Sequence, residues 1–155
     1  MQNQETKKIK LVRKLALILV AAGLITGLGF IIATKSQNDI KTLTIHDTKL
    51  NIEIATSSQE KQRGLCCRES LPENQAMLFV YDSPGNHRFW MKDTKIPLDM
   101  YFINSNKKII YIERSVQPSS YPKTFGPESE SQYVLETNAG FAKKHNINTG
   151  DIVNF

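Results

Sequence analysis

Apolar and polar residues alternate along "TLTIHDTKLNIEIA" on both sides of His46-Asp47-Thr48, so Lys41–Ile45 and Leu50–Ala55 read as a β-hairpin. The period then changes. Ser57-Ser58-Gln59-Glu60 fits a capping box, with Glu three positions after Ser, and Gly64 is a natural stop; a helix of about two turns is predicted between them. Ala76–Tyr81 predicts a strand that ends at a Ser83-Pro84-Gly85-Asn86 turn, and Arg88–Lys92 predicts the next strand. Leu98–Ile103 and Lys108–Glu113 flank Asn104-Ser105-Asn106 as a second hairpin. Gln132–Glu136 reads as a strand, Gly140–His145 as a short helix, and Asp151–Val153 as a last strand after Thr149-Gly150. Short strands with small helices between them predict a mainly β (α+β) domain, a small, mostly antiparallel sheet curled into a barrel-like or sandwich form with two short helices.

Within "FWMKDTKIPLDMYF", Phe89 to Phe102, alternation puts Arg88, Trp90 and Lys92 on one face of their strand and Phe89 and Met91 on the other. On the following strand Leu98, Met100 and Phe102 oppose Asp99, Tyr101 and Ile103. A connection folded symmetrically about Lys95 sets Met91 opposite Asp99 and Trp90 opposite Met100, whereas a one-residue slip brings Lys92 and Asp99 onto one face.

One stretch has no alternation at all. Leu15–Ala33 is nineteen residues without a charge, Thr26 being its only polar side chain. At about 1.5 Å per residue such a helix reaches roughly 28 Å, close to the ~30 Å hydrocarbon core of a bilayer. Lys7, Lys8, Lys10, Arg13 and Lys14 precede it and only Lys35 follows closely, so the positive-inside bias keeps the N terminus in the cytoplasm. The expected organisation is a basic cytoplasmic segment (1–14), a single-pass membrane anchor (15–33), a linker (34–39) and an extracytoplasmic domain (40–155), periplasmic or extracellular. Secretion after signal cleavage is the alternative, although Ile31-Ile32-Ala33 puts a bulky residue where a cleavage site wants a small one. Gly23 and Gly27 form a GxxxG that ordinary membrane-helix composition also explains.

Charge acquires a different meaning once the chain is divided. Residues 1–35 carry six Lys/Arg and one Glu, which leaves fourteen basic and fourteen acidic residues in 36–155. The excess of positive charge is therefore a topology signal, and nucleic acid is excluded as a partner because no basic surplus remains on the folded part. About 115 residues remain for one compact domain, with no internal repeat.

Candidate chemistry concentrates in the same apolar stretch. Trp90 is the only tryptophan, and with Met77, Phe79 and Met91 its default role is core packing; its sharper role is the wall of a ligand pocket, with polar groups supplied by Lys92, Asp93, Thr94 and Asp99. Arg63, beside the helix stop, is placed to pair with a carboxylate of ligand or protein. The candidate pocket is thus Arg63, Phe79, Trp90, Lys92, Thr94 and Asp99. For catalysis, Cys66 or Cys67 with His87 is the one Cys/His combination, and its thiolate is favoured by Arg63 and Arg68 but disfavoured by the negative end of the helix that stops at Gly64. Cys66, Cys67, Met77, His87 and Met91 are soft ligands of the kind that suit copper, without the CxxC spacing of a zinc site. No phosphate loop, Ser-centred elbow or paired catalytic carboxylate is visible, so no cofactor is expected. His46 and His145 fall in a turn and at a helix end, where a surface role is the default.

"RGLCCRESLPENQAMLFVY", "HRFWMKDTKIPLDMYFI", "ERSVQPSS" and "YVLETNAGFAKKHNINTGDIV", in that order and spacing, resemble the DUF192 family (UPF0127) over about residues 41–155. The resemblance implies a small β-rich, barrel-like and often exported domain with no established activity. Two departures stand out. Cys66-Cys67 replaces the Met and aromatic that follow Arg-Gly-Leu in such proteins, and Ser119 stands where a Cys often follows Gln-Pro, so no role of that cysteine carries over. Cys66 and Cys67 are expected to be small buried hydrophobes in the space of the missing pair. A vicinal disulfide is the alternative outside the cytoplasm, with an intermolecular bond or a metal as the remaining possibilities.

Location and pattern together predict a membrane-anchored extracytoplasmic domain that binds a small ligand or an envelope protein. The alternatives are an enzyme acting through Trp90–Asp99 or a copper-like soft-metal protein.

Overall fold

The computed structural model describes residues 41–155; the expected anchor and linker lie outside them. No helix among the described residues is long and apolar enough to cross a membrane. Among the described residues nine strands form in the order β1 (Lys41–Ile45), β2 (Thr48–Ala55), β3 (Gln75–Gly85), β4 (Phe89–Trp90), β5 (Leu98–Ile103), β6 (Ile109–Val116), β7 (Thr124–Phe125), β8 (Ser131–Asn138) and β9 (Val153–Asn154). Two short helices, α1 (Ser58–Arg63) and α2 (Phe141–Lys144), and one 3-10 turn (Pro118–Ser120) complete the domain.

Seven strands make one sheet in the order β6-β5-β8-β3-β2-β1-β9, and β4 and β7 form a separate pair. The large sheet curls into a half-barrel. Its two edges meet at one end, where Ile109 N–H donates to Asp151 O and Val153 N–H donates to Lys107 O, both at 2.9 Å. The sheet is mostly antiparallel, as expected, with one exception: β2 and β3 run parallel, from Asn51 opposite Gln75 to Ala55 opposite Phe79. The physical reason is the connection, since residues 56–74 with α1 are long enough to carry the chain back for a parallel crossover.

Local signals account for several elements. His46 (φ 51°) takes the left-handed conformation at the β1–β2 turn. Ser57 accepts from Glu60 N–H while the Glu60 carboxylate accepts from Ser57 N–H, and Gly64 closes α1. The anticipated turn at Ser83-Pro84-Gly85-Asn86 does not stop β3, which continues to Gly85. Pairing with β8 is irregular between Val80 and Gly85, so Pro84 sits where no ladder hydrogen bond is asked of it.

Alternation splits the sheet between two cores. Leu43, Ile45, Leu50, Ile52, Leu78, Tyr101, Ile103, Leu135 and Val153 fill the inside of the curl, where α2 adds Phe141 and Ala142. Phe79, Leu98, Met100, Phe102 and Val134 point to the other face and are covered by Leu65, Leu71, Phe89, Met91, Ile96 and Phe125 from the connecting segments. Both faces of β5 are consequently buried along its whole length.

The hairpin expected between Arg88–Lys92 and Leu98–Ile103 does not form. β5 is already hydrogen-bonded on both edges, to β6 and β8, and β4 pairs instead with β7, Phe89 opposite Phe125 and Trp90 opposite Thr124. Asp99 faces Thr137 and Met100 faces Glu136, so neither proposed register with Met91 or Trp90 exists, nor any Lys92–Asp99 pair.

Candidate functional site

The outer face of the sheet carries an open cleft between the end of α1, the far half of β3 and the β4 segment. Lys61, Arg63, Gly64, Leu65, Phe79, Tyr81, Arg88, Phe89, Trp90, Lys92, Thr94 and Glu136 line it around about 440 Å³ of space open to solvent. A second lobe, lined by Gln59, Gln62, Arg63, Cys66, Trp90, Lys92 and Asp93, shares Arg63, Trp90 and Lys92 with the first. Arg63, Phe79, Trp90, Lys92 and Thr94 therefore come together from three separate stretches of sequence.

Asp99 does not join them. It is 1% exposed, and its carboxylate accepts from Ser115 N–H (2.7 Å) and from Ala142 N–H (2.9 Å), which ties β6 and the start of α2 to β5. Its role here is to accept from two backbone donors, one of which, Ala142 N–H, would otherwise be buried unpaired.

Trp90 departs from its default core role. It is 45% exposed, because the pleat turns Phe89 and Met91 inward and Trp90 outward and its β7 neighbour covers only one side. The indole packs edge-on with exposed Tyr121 (centroids 6.1 Å apart), and Lys92 Nζ lies 6.0 Å from the indole centroid. Deeper in, Phe79 and Phe89 meet edge to face at 4.8 Å, and Tyr81 is stacked on His87 with Lys61 Nζ 4.4 Å from its ring centroid.

Electrostatically the cleft is one-sided. Lys61, Arg63, Arg88 and Lys92 surround it, and Arg88 donates to the carbonyls of Thr124 and Gly126. Lys61, Arg63 and Lys92 have no acidic partner within ion-pair distance among the described residues. The acid at the bottom of the inner lobe is Glu136, 4% exposed. Its place in the sheet explains its state. Glu136 lies between Met77 and Met100 in a row that continues on either side to Glu53 and Glu113. Burial between the methionines pushes its carboxyl up to about 8, against a smaller pull from Arg68. Arg68 is itself committed, donating both guanidinium nitrogens to Glu53 at 2.6 and 2.8 Å. That bond holds the Glu53 carboxyl below its usual range. Burial and then the nearby Glu136 push the Tyr81 hydroxyl up to about 12. Around neutral pH both groups facing the floor are thus uncharged.

Cys66 and Cys67 are bonded to each other, with Cα atoms 3.8 Å apart. The expected buried free thiols are absent: Cys67 is exposed and Cys66 half-buried on the rim of the outer lobe, since after Gly64 it is Leu65 that points into the core. Cys67 N–H donates to Asp93 O at 2.9 Å, which ties the two lips of the cleft together. Joined sulfurs leave no thiolate for a Cys/His dyad. The soft-ligand set is also dispersed, for Met77 and Met91 belong to the outer core and His87 is stacked on Tyr81. No group of three metal-ligating side chains gathers among the described residues.

Sequence reasoning missed Lys61, Tyr81, Arg88 and above all Glu136. The available signal was Glu136 sharing the face of Val134, next to the apolar Tyr133-Val134-Leu135 run, which reads as an exposed strand end until the neighbouring strands are known.

A curled half-barrel with a cation-rimmed, aromatic-walled cleft on its outer face defines the class of this domain. Residues 41–155 match the model of DUF192, "Uncharacterized ACR, COG1430", and the chain belongs to that family. None of the curated proteins matches it. Two solved structures are similar. A "putative transcription regulator" from Sinorhizobium meliloti 1021 is 32% identical, with a TM-score of 0.66 over 68% of this chain and 81% of that one. A protein of unknown function from Novosphingobium aromaticivorans DSM 12444 is 29% identical, with a TM-score of 0.70 over 74% of this chain and 84% of that one.

Proposed function

We propose that this domain binds a small organic anion, whose charged group lies among Lys61, Arg63 and Lys92 and whose flat or apolar side rests on Trp90. The observation that carries the reading is three cations, Lys61, Arg63 and Lys92, that converge on one cleft and have no acidic partner within ion-pair distance among the described residues. Unpaired cations beside low-dielectric aromatic walls attract an anion more strongly than the same cations on an open surface. A nucleic-acid-binding regulator is disfavoured by residues 36–155, which balance fourteen basic against fourteen acidic side chains. We further propose that the apolar span at 15–33 holds the domain at the outer face of the membrane.

Titration of the protein with glucuronate and with benzoate, followed by the emission of its one tryptophan, tests the first proposal, with glucose as the neutral control. Saturable change with an anion and none with glucose, lost in Arg63→Ala and Lys92→Ala, is the expected result. Equal responses to glucose and the anions would overturn it. Protease added to spheroplasts tests the second: digestion of the domain is expected, and full protection would reverse the topology.

A further inference from the structure

The cleft contains a group that a simple cationic site does not need. Glu136 is 4% exposed and lines the inner lobe, and its side chain forms no hydrogen bond with any described residue. Gly64 borders it: a Cβ built there would stand in van der Waals contact, 3.4 Å from Phe79 Cζ and 3.9 Å from Glu136 Oε2. An ionised carboxylate in this position would repel an entering anion and oppose the cations above it. A protonated carboxyl does the reverse, offering an O–H to an acceptor oxygen.

Resting on the anion-binding reading above, we propose that protonated Glu136 is the hydrogen-bond donor at the floor of the cleft. The site therefore selects an oxyanion, a carboxylate or a sulfate or phosphate ester, and takes it up only while Glu136 keeps its proton. No bond is made or broken; the proton stays on Glu136, shared with the anion's oxygen.

The groups facing Glu136 leave it as the titrating element. On β2 and the segment after α1, Glu53 and Arg68 neutralise each other. On β6, Glu113 accepts from Tyr111 O–H at 2.7 Å. On β3 Tyr81 is neutral, with His87 stacked on it and held below its usual range by burial and by Lys61. Lys61, Arg63, Arg88 and Lys92 complete the surroundings, with Asp93 on the outer lobe.

If only the protonated form binds, apparent affinity falls by the protonated fraction, so the dissociation constant at about pH 9 is about tenfold larger than at about pH 6.5. Glucuronate and a hexose sulfate are suitable probes, because neither changes charge across that window. Glu136→Gln keeps a hydrogen-bond donor at the same place and removes the titration. The expected result is a tenfold pH effect in the wild-type protein and none in the variant, whose affinity matches the wild type at the acidic end. Binding of glucuronate alone assigns the site to carboxylates, and binding of both probes to oxyanions at large. Identical pH profiles for the two proteins would overturn the role of Glu136 while leaving anion binding in place, as would loss of binding in a Gln variant whose circular dichroism is unchanged. Absence of binding by both proteins at every pH would overturn the anion-binding reading itself.

Discussion

Replacing Glu136 by Gln should make the protein more stable at neutral pH, and by a predictable pH-dependent amount. In the folded chain the carboxyl sits between Met77 and Met100 with its titration moved from 4.5 to about 8. The one cation that pulls it back, Arg68, is engaged by Glu53. Across that window the folded state holds a proton that the unfolded state has released, so stability falls as pH rises. The contribution is complete below the unfolded value, and the loss runs at about 1.4 kcal/mol per pH step, roughly 5 kcal/mol over the whole window. Gln copies the shape of the neutral acid and never ionises. The variant should therefore match the wild type near pH 4.5 and exceed it by about 3 kcal/mol at pH 7. Urea unfolding followed by far-ultraviolet circular dichroism, on both proteins at several pH values, gives the difference directly. Histidines and the other carboxylates titrate equally in both and cancel. A difference that does not change with pH, or a variant less stable at pH 7, would refute a carboxyl kept neutral by burial.

Asp99→Ala should lower stability by about 2–3 kcal/mol, because Ala142 N–H is left buried without an acceptor and Ser115 N–H loses its side-chain partner; a change below about 1 kcal/mol in the same urea assay would contradict that role. Trp90→Ala should cost less than about 1 kcal/mol, as expected for a half-exposed side chain, yet remove anion binding. A loss of about 3 kcal/mol or more would return Trp90 to the core. Gly64→Ala should destabilise by about 1–3 kcal/mol, because an L side chain is strained at its φ of 50°; unchanged stability would refute that strain. Native protein kept from reductants should take up no thiol reagent, and after mild reduction Cys67 should react without unfolding. Labelling that requires unfolding would restore the buried pair.

Elements set by short-range chemistry were legible in the sequence. The capping box at Ser57–Glu60 and the stop at Gly64 delimit α1 because every group involved lies within a few residues. The same holds for the β1–β2 and β5–β6 hairpins and for the facing of Phe89, Met91 and Trp90, since alternation needs only the pleat. Strand partners were not legible. Nothing in an alternating run says whether its neighbour is parallel, and the β2–β3 pair follows from a crossover whose length was visible but whose direction was not. The supposed β4–β5 hairpin failed for a related reason: "LDMYFI" is apolar on both faces, the mark of a strand enclosed between two cores and paired on both edges, so it had no free edge to offer.

The cleft divides along the same line. Arg63, Trp90, Lys92 and Thr94 were readable because each lies at a turn or on the outward face of a short segment, where a polar or aromatic side chain has few structural reasons to be. Asp99 looked equivalent in sequence, and its two backbone donors come from positions 16 and 43 residues away. Glu136 is the converse case. Its chemistry depends on two methionines, Met77 on one neighbouring strand and Met100 on the other, which meet it only through the register of β3, β8 and β5. Moving either register by one residue would turn the carboxyl toward the inner core and remove it from the cleft. The cationic rim can therefore be read locally, whereas the acid beneath it is a property of the assembled sheet, and the difference in pH response between Glu136 and its Gln variant measures that long-range contribution.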